Sequence, residues 1–326
     1  MLEHGGRLLR AARQYNIPVS EWLDLSTGVN PDNWPAPAIP ARAWHRLPED
    51  DDGLVEAARR YYGAPHVLPV AGSQAAIQCL PRLRPRSRVG VLAPGYAEHA
   101  HAWEQAGHAV DRVSAEPLLE SQAQFDVIVL IHPNNPGGET FGRPALLRLR
   151  DALHARGGWL VVDEAFMDAT PEASVCANSG DGLIVLRSVG KFFGLAGARA
   201  GFVCAAPDLL KSLRDVLGPW TLSGPTRHVV QAAFADVAWQ ATARAQLHQR
   251  SARLAALLRL HGLAPTAGTA YFQWCRDARA AHLHDALARR GILVRLFDAP
   301  SSLRFGLPLN DADYERLGHA LGEELR

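Results

Sequence analysis

Only two lysines occur in the chain, Lys191 and Lys211, so nearly all of its positive charge is arginine. Arginine stays protonated at neutral pH and forms no imine, which leaves two side chains able to join an aldehyde as a Schiff base. Lys211 sits in Pro207-Asp208-Leu209-Leu210-Lys211-Ser212-Leu213-Arg214, the pattern of an amphipathic helix with a solvated face. Lys191 sits in Ser188-Val189-Gly190-Lys191-Phe192-Phe193-Gly194-Leu195-Ala196-Gly197-Ala198-Arg199, directly after an apolar run. Among glycine and aromatic neighbours at a strand end, desolvation favours the neutral, nucleophilic amine. Ser188 and Arg199 bracket it and can clasp a phosphate, although a surface loop with a solvated lysine would read similarly.

Further polar residues stand at the ends of other apolar runs. Asp163 closes Trp159-Leu160-Val161-Val162. A carboxylate there can keep a pyridine nitrogen protonated, or can simply cap a helix. Pro133-Asn134-Asn135-Pro136-Gly137-Gly138 is a rigid turn that can aim the Asn135 amide at a phenolate oxygen, or can be only a turn. Gly72-Ser73-Gln74 lies between a strand and a helix, where backbone N–H groups favour an anion and where serine is also a common cap. Tyr96, in Ala93-Pro94-Gly95-Tyr96, can stack on an aromatic ring or pack as any buried tyrosine does. Amine, ring-nitrogen partner, phenolate donor, phosphate cradle and stacking face together fit pyridoxal 5′-phosphate (PLP), with Lys191, Asp163 and Tyr96 as the catalytic candidates.

The positioning elements follow from hydrophobic period. Val67 to Ala71, Val89 to Ala93, Phe125 to Ile131, Trp159 to Asp163, Leu183 to Leu186 and Ala200 to Cys204 read as short buried strands. Helical patterns at Ala75 to Leu83, Tyr96 to Ala106 and Pro144 to Arg156 lie between them. This alternation predicts an α/β fold with a mainly parallel sheet covered on both faces and ligands beyond the strands' carboxyl ends. After Gly224-Pro225 one long helical stretch runs through Leu260. Strand-like Ala270 to Cys275, helix-like Ala280 to Arg290, strand-like Ile292 to Arg295 and a helix from Asp311 complete a smaller α+β domain. The expected organisation is an N-terminal arm over 1–40, a large domain over 41–224 and a small C-terminal domain over 225–326.

Composition narrows the function classes. With 326 residues, 48% hydrophobic content and a formal net charge of +1, the chain can bury a large core and carries no basic tail for nucleic acid or anionic membrane. No apolar run reaches the roughly 20 residues of a membrane span, and no leader pattern opens the chain, so a cytoplasmic enzyme of small molecules is expected. Cys79, Cys176, Cys204 and Cys275 lack paired spacing and read as reduced filler. No metal site built on His99, His101 and His108 is expected, since neighbours two apart on a helix face away from each other. A PLP-binding sensor module of a transcription regulator would require a fused DNA-binding segment, which this sequence does not contain.

The order Gly72-Ser73-Gln74, Tyr96, Asn135-Pro136, Asp163-Glu164-Ala165-Phe166, Ser188 to Lys191, Arg199 and Arg304 resembles that of fold-type I PLP enzymes of the class I/II aminotransferase superfamily, over nearly the whole length. The resemblance implies a PLP-dependent transferase-like fold and a homodimer. It assigns PLP contacts to Gly72, Ser73, Gln74, Tyr96, Asn135, Asp163, Ser188, Lys191 and Arg199. It gives Arg304, in Leu303-Arg304-Phe305-Gly306, to a substrate α-carboxylate. His4-Gly5-Gly6, Leu23 to Pro31, Gly95 to His99 and Pro219 to Pro225 are most similar to a decarboxylase group that acts on L-threonine O-3-phosphate in cobalamin biosynthesis. The histidinol-phosphate aminotransferases are its near relatives and the alternative reading. His4, Asn30 and Arg295 are then candidates for the substrate phosphate or carboxylate. Three positions depart from the superfamily pattern. Phe166 replaces a tyrosine that helps hold the phenolate, Leu47-Pro48 replaces a Tyr-Pro that reaches the neighbouring subunit's cofactor, and His132 replaces an asparagine.

Overall fold

Short apolar runs bounded by glycine and proline form the sheet that the sequence predicts. The computed structural model describes residues 4–325. Two compact units emerge, one of Asn33–Asn135 and Glu139–Ala241, the other of Met1–Asp32, Pro136–Gly138 and Thr242–Arg326. The compositional boundaries near 40 and 224 thus stand beside structural ones at Asp32 and Ala241.

The first unit is built on seven strands: β1 (Val67–Val70), β2 (Arg88–Leu92), β3 (Ala109–Val113), β4 (Val127–Ile131), β5 (Trp159–Asp163), β6 (Leu183–Ser188) and β7 (Gly201–Cys204). Their order is β1-β7-β6-β5-β4-β2-β3, with β7 antiparallel to both neighbours and the other pairs parallel. Every residue of β4 is buried, as is nearly every one of β5 and β6, so both sheet faces are covered. Their unbroken Val, Ile and Leu runs express that two-sided burial.

Two differences from the sequence reading have clear causes. The edge strand β3 was not expected, because its residues are half-buried or exposed and include Asp111 and Arg112. Strand β6 extends past Leu186 through Arg187 to Ser188, because the buried guanidinium finds buried carboxylates.

The helical stretch through Leu260 is two helices, Gly224–Ala235 and Val237–Leu260. Asp236 breaks it: at φ −85° and ψ 74° it leaves the helical region, and its carboxylate accepts from the Trp239 N–H at 3.0 Å and the Trp34 indole at 3.0 Å.

In the second unit a four-stranded antiparallel sheet places Arg295–Asp298 at one edge, followed by Ser301–Gly306, Phe272–Arg276 and Ala267–Thr269. The expected strand Ile292 to Arg295 divides. Ile292–Leu293 pairs in parallel with Leu23–Asp24, and Arg295 begins the edge strand. The helix Asp311–Glu324 begins where the sequence turns polar, and Asn310 caps it by accepting from the Asp313 N–H at 3.0 Å. Among the described residues, no helix is long and apolar enough to cross a membrane.

Candidate active site

Parallel register brings separate sequence segments to one edge of the seven-stranded sheet. Ile131 pairs with Asp163 and Asp163 with Leu186, while Ser188 and Val70 both pair with Gly201. The carboxyl ends of β1, β4, β5 and β6 and the start of β7 therefore lie side by side. Gly72-Ser73, Asn135, Asp163, Ser188-Lys191 and Arg199 leave the sheet there, where open α/β sheets place their ligands.

Asp163 is buried, with 4% of its surface exposed, and its carboxylate is fully oriented. Oδ2 accepts from His99 Nε2 at 2.8 Å, and Oδ1 accepts from the Ala165 N–H at 3.0 Å. His99 is itself buried at 1% exposure on the helix Glu98–Gln105. Sequence reasoning missed this partner. Tyr96 and His99 are three apart, and their rings meet edge to face with centroids 6.1 Å apart, so the same turn supplies a ring and an orienting donor.

Tyr96 precedes the helix rather than lying in it. Its hydroxyl donates to Gln74 Oε1 at 3.1 Å, and Gln74 Nε2 donates to Glu98 Oε2 at 2.8 Å, so the Glu98 carboxylate fixes which end of the amide faces the tyrosine. Gln74 thus braces Tyr96. Burial first, then Glu98 and Asp163, push the Tyr96 hydroxyl up to about 12 against the opposing pull of Arg199. It stays protonated at neutral pH. Asn134, the neighbour of the predicted Asn135, ties the loops together by donating to Pro94 O at 2.8 Å and Glu139 Oε2 at 2.6 Å.

Arg199 adopts the left-handed region at φ 52° and donates from Nη1 to Ala196 O at 3.2 Å. Gly72, at φ 75°, faces it so closely that a Cβ there would meet Arg199 Nη2 at 2.7 Å. Glycine is required at that position for the backbone angle, and a side chain there would also push the guanidinium aside. Lys191 stands on the one-turn helix Val189–Phe192, with Nζ 5.6 Å from the centre of the Phe166 ring. Phenylalanine at 166 presents an apolar face to the amine where a tyrosine would present a hydroxyl. A fixed carboxylate, a neutral tyrosine, a guanidinium beside a glycine turn and an amine over an apolar ring match what a phosphorylated pyridine aldehyde demands.

The remaining predicted residues belong to the second unit. Arg304 is buried at 6% exposure, donates from Nη2 to Ser26 O at 2.8 Å and lies 5.0 Å from the Phe272 ring centre. Burial, then the charge of Arg295, lower its pKa to about 10, so it remains a cation in a poorly solvated place. Arg295 and Arg304 are direct cross-strand partners. Asn30 is buried, and its side-chain oxygen accepts from the Asp32 N–H at 3.1 Å. His4 and Arg295 line one cavity together with Arg7 and Arg10, two arginines that sequence reasoning passed over.

The aminotransferase class I and II family model matches residues 22–321. The threonine-phosphate decarboxylase of Pseudomonas aeruginosa is 57% identical over 325 residues, covering 98% of this chain and 97% of that one. The enzyme of the same name from a Sinorhizobium species is 44% identical, with 98% and 97% covered. Among solved structures, L-threonine-O-3-phosphate decarboxylase from Porphyromonas gingivalis superposes with a TM-score of 0.80 at 20% identity, over 92% of this chain and 98% of that chain. Histidinol-phosphate aminotransferase from Sinorhizobium meliloti, solved in complex with pyridoxal-5′-phosphate, gives 0.82 at 21% identity over 100% and 98%.

Proposed function

Because the chain belongs to the aminotransferase class I and II family, we propose that it is a PLP-dependent decarboxylase converting L-threonine O-3-phosphate into (R)-1-amino-2-propanol O-2-phosphate, a step of cobalamin biosynthesis. The observation that carries the substrate is the 57% identity to the Pseudomonas aeruginosa decarboxylase over almost the whole of both chains. Bound PLP supplies an electron-accepting ring next to the substrate's Cα.

The protein's own residues do the rest. Lys191 Nζ is the amine that holds the coenzyme aldehyde and later the acid that delivers a proton to Cα. Asp163, kept in place by His99, holds the proton on the ring nitrogen. Asn135 donates to the ring oxygen, and Phe166 adds no second donor. Gly72, Ser73, Ser188 and Arg199 would hold the coenzyme phosphate, and Gln74 braces Tyr96, whose neutral ring would offer a stacking face. Arg304 binds the substrate carboxylate, the role that the family pattern gives to an arginine in Leu303-Arg304-Phe305-Gly306, and it is a buried guanidinium suited to a charge-assisted pair. His4, Asn30 and Arg295 are the candidates for the substrate phosphate or carboxylate.

Incubation of the purified protein with threonine phosphate, with carbon dioxide measured, tests the reading. Stoichiometric release supports it. Amino transfer to 2-oxoglutarate without carbon dioxide makes the chain an aminotransferase of the histidinol-phosphate type. We extend the proposal to a homodimer, as the family resemblance implies, in which the exposed side chains of Trp44, Leu47 and Trp220, at 64%, 66% and 58%, are candidates for burial.

A further inference from the structure

Behind Asp163 and Ser188 the same two strand ends carry a second set of charges. Side chains alternate across a strand, so Glu164 and Arg187 point away from the face that Asp163 and Ser188 use. The Asp163 carboxylate turns to His99 and the Ala165 N–H. The Glu164 carboxylate turns to Arg187, the Ser174 hydroxyl and the Val175 N–H. Arg187 also grips Asp168, and its guanidinium stacks on the Tyr62 ring at 4.6 Å. Arg187, Glu164 and Asp168 are each at most 2% exposed.

Such a triad is weak evidence for stability. Apolar residues of equal volume commonly hold a fold as well, because desolvating the charges offsets their attraction. Its place is informative instead. Glu164 follows Asp163 in the chain, Arg187 precedes Ser188 and leads into Lys191, and the guanidinium joins them rigidly in two directions.

We propose that Arg187, Glu164 and Asp168 form a buried clamp that fixes Asp163 relative to the Ser188–Lys191 turn, so that Arg187 is a positioning residue for the coenzyme. The inference rests on the PLP reading. Supporting shells must hold a site to within a fraction of an ångström, and loosening this one separates the ring-nitrogen partner from the amine.

Two variants test it. The triple substitution Arg187→Met, Glu164→Gln, Asp168→Asn removes the charges without orphaning any of them, and Arg187→Lys keeps the charge but loses the two-directional fork. Each is measured three ways: thermal unfolding of the coenzyme-free protein, the dissociation constant for PLP, and the pH titration of the visible-edge absorbance of the Lys191-bound coenzyme. The expected result for the triple variant is a folded protein that binds PLP about tenfold or more weakly and titrates at a displaced pH, with Arg187→Lys falling in between. A folded triple variant with unchanged affinity and titration overturns the clamp. If that variant does not fold, the same comparison on Arg187→Lys decides. If neither folds, the triad is a folding element and the positioning claim is wrong. Absence of the absorbance band in the unaltered protein sinks the PLP reading itself, which is a separate failure.

Discussion

Arg187 and Arg304 are both buried arginines, yet their surroundings push them in opposite directions. Around Arg187 the carboxylates of Asp168 and Glu164 outweigh the effect of burial and hold its pKa well above the usual value. Around Arg304 burial dominates, a second arginine adds to it, and the pKa falls to about 10. One unit has matched its buried cation with its own acids. The other holds a cation whose surroundings favour an arriving anion. The difference separates a guanidinium held among buried carboxylates from one whose charge burial opposes.

Substitution should expose this contrast. Arg187→Ala leaves Glu164 and Asp168 buried together without their counter-charge and should destabilise the fold by about 3–5 kcal/mol in urea denaturation. Arg304→Ala should cost less, about 1–3 kcal/mol for the Ser26 carbonyl left unpaired, while raising KM roughly 100-fold, because it removes the partner of the substrate carboxylate. Equal destabilisation by both variants would erase the distinction.

A smaller effect is expected at His99. Replacement by Phe removes the donor to Asp163 Oδ2 and should lower kcat by about 10- to 100-fold with KM nearly constant, as for other groups that orient a reacting side chain. A KM effect alone would assign His99 to substrate binding.

The smallest concerns Tyr96. Its hydroxyl has a pKa of about 12 in the folded protein against 10.0 ordinarily, so the unfolded chain releases this proton first as pH rises. The corresponding stability is complete below pH 10 and lost as pH climbs toward 12. Tyr96→Phe should flatten that alkaline decline in denaturation midpoints taken across the same interval, and an unchanged slope would show that the hydroxyl is not held as described.

Much of the candidate site was legible because parallel sheets place polar residues at the ends of apolar runs. Lys191, Asp163 and Gly72-Ser73 all announce themselves that way. His99 did not, since its partner is 64 residues distant and histidine on a helix has no pattern of its own. Arg187 misled the reading for the opposite reason. It interrupts an apolar run and ends a strand on the page, but two distant carboxylates let the strand continue. Asp236 likewise looked tolerable within a helical period, and the break shows only in its contacts with the Trp239 N–H and the distant Trp34 indole. What local period encodes was readable, and what long-range charge pairing decides was not.

The central claim is that one amine, Lys191, carries the coenzyme. Adding PLP to the purified protein, treating it with borohydride and mapping the modified peptide tests that most directly. The account predicts a reduced adduct on Lys191 that is lost in Lys191→Ala and retained in Lys211→Ala. An adduct on Lys211, or none on either lysine, would contradict it.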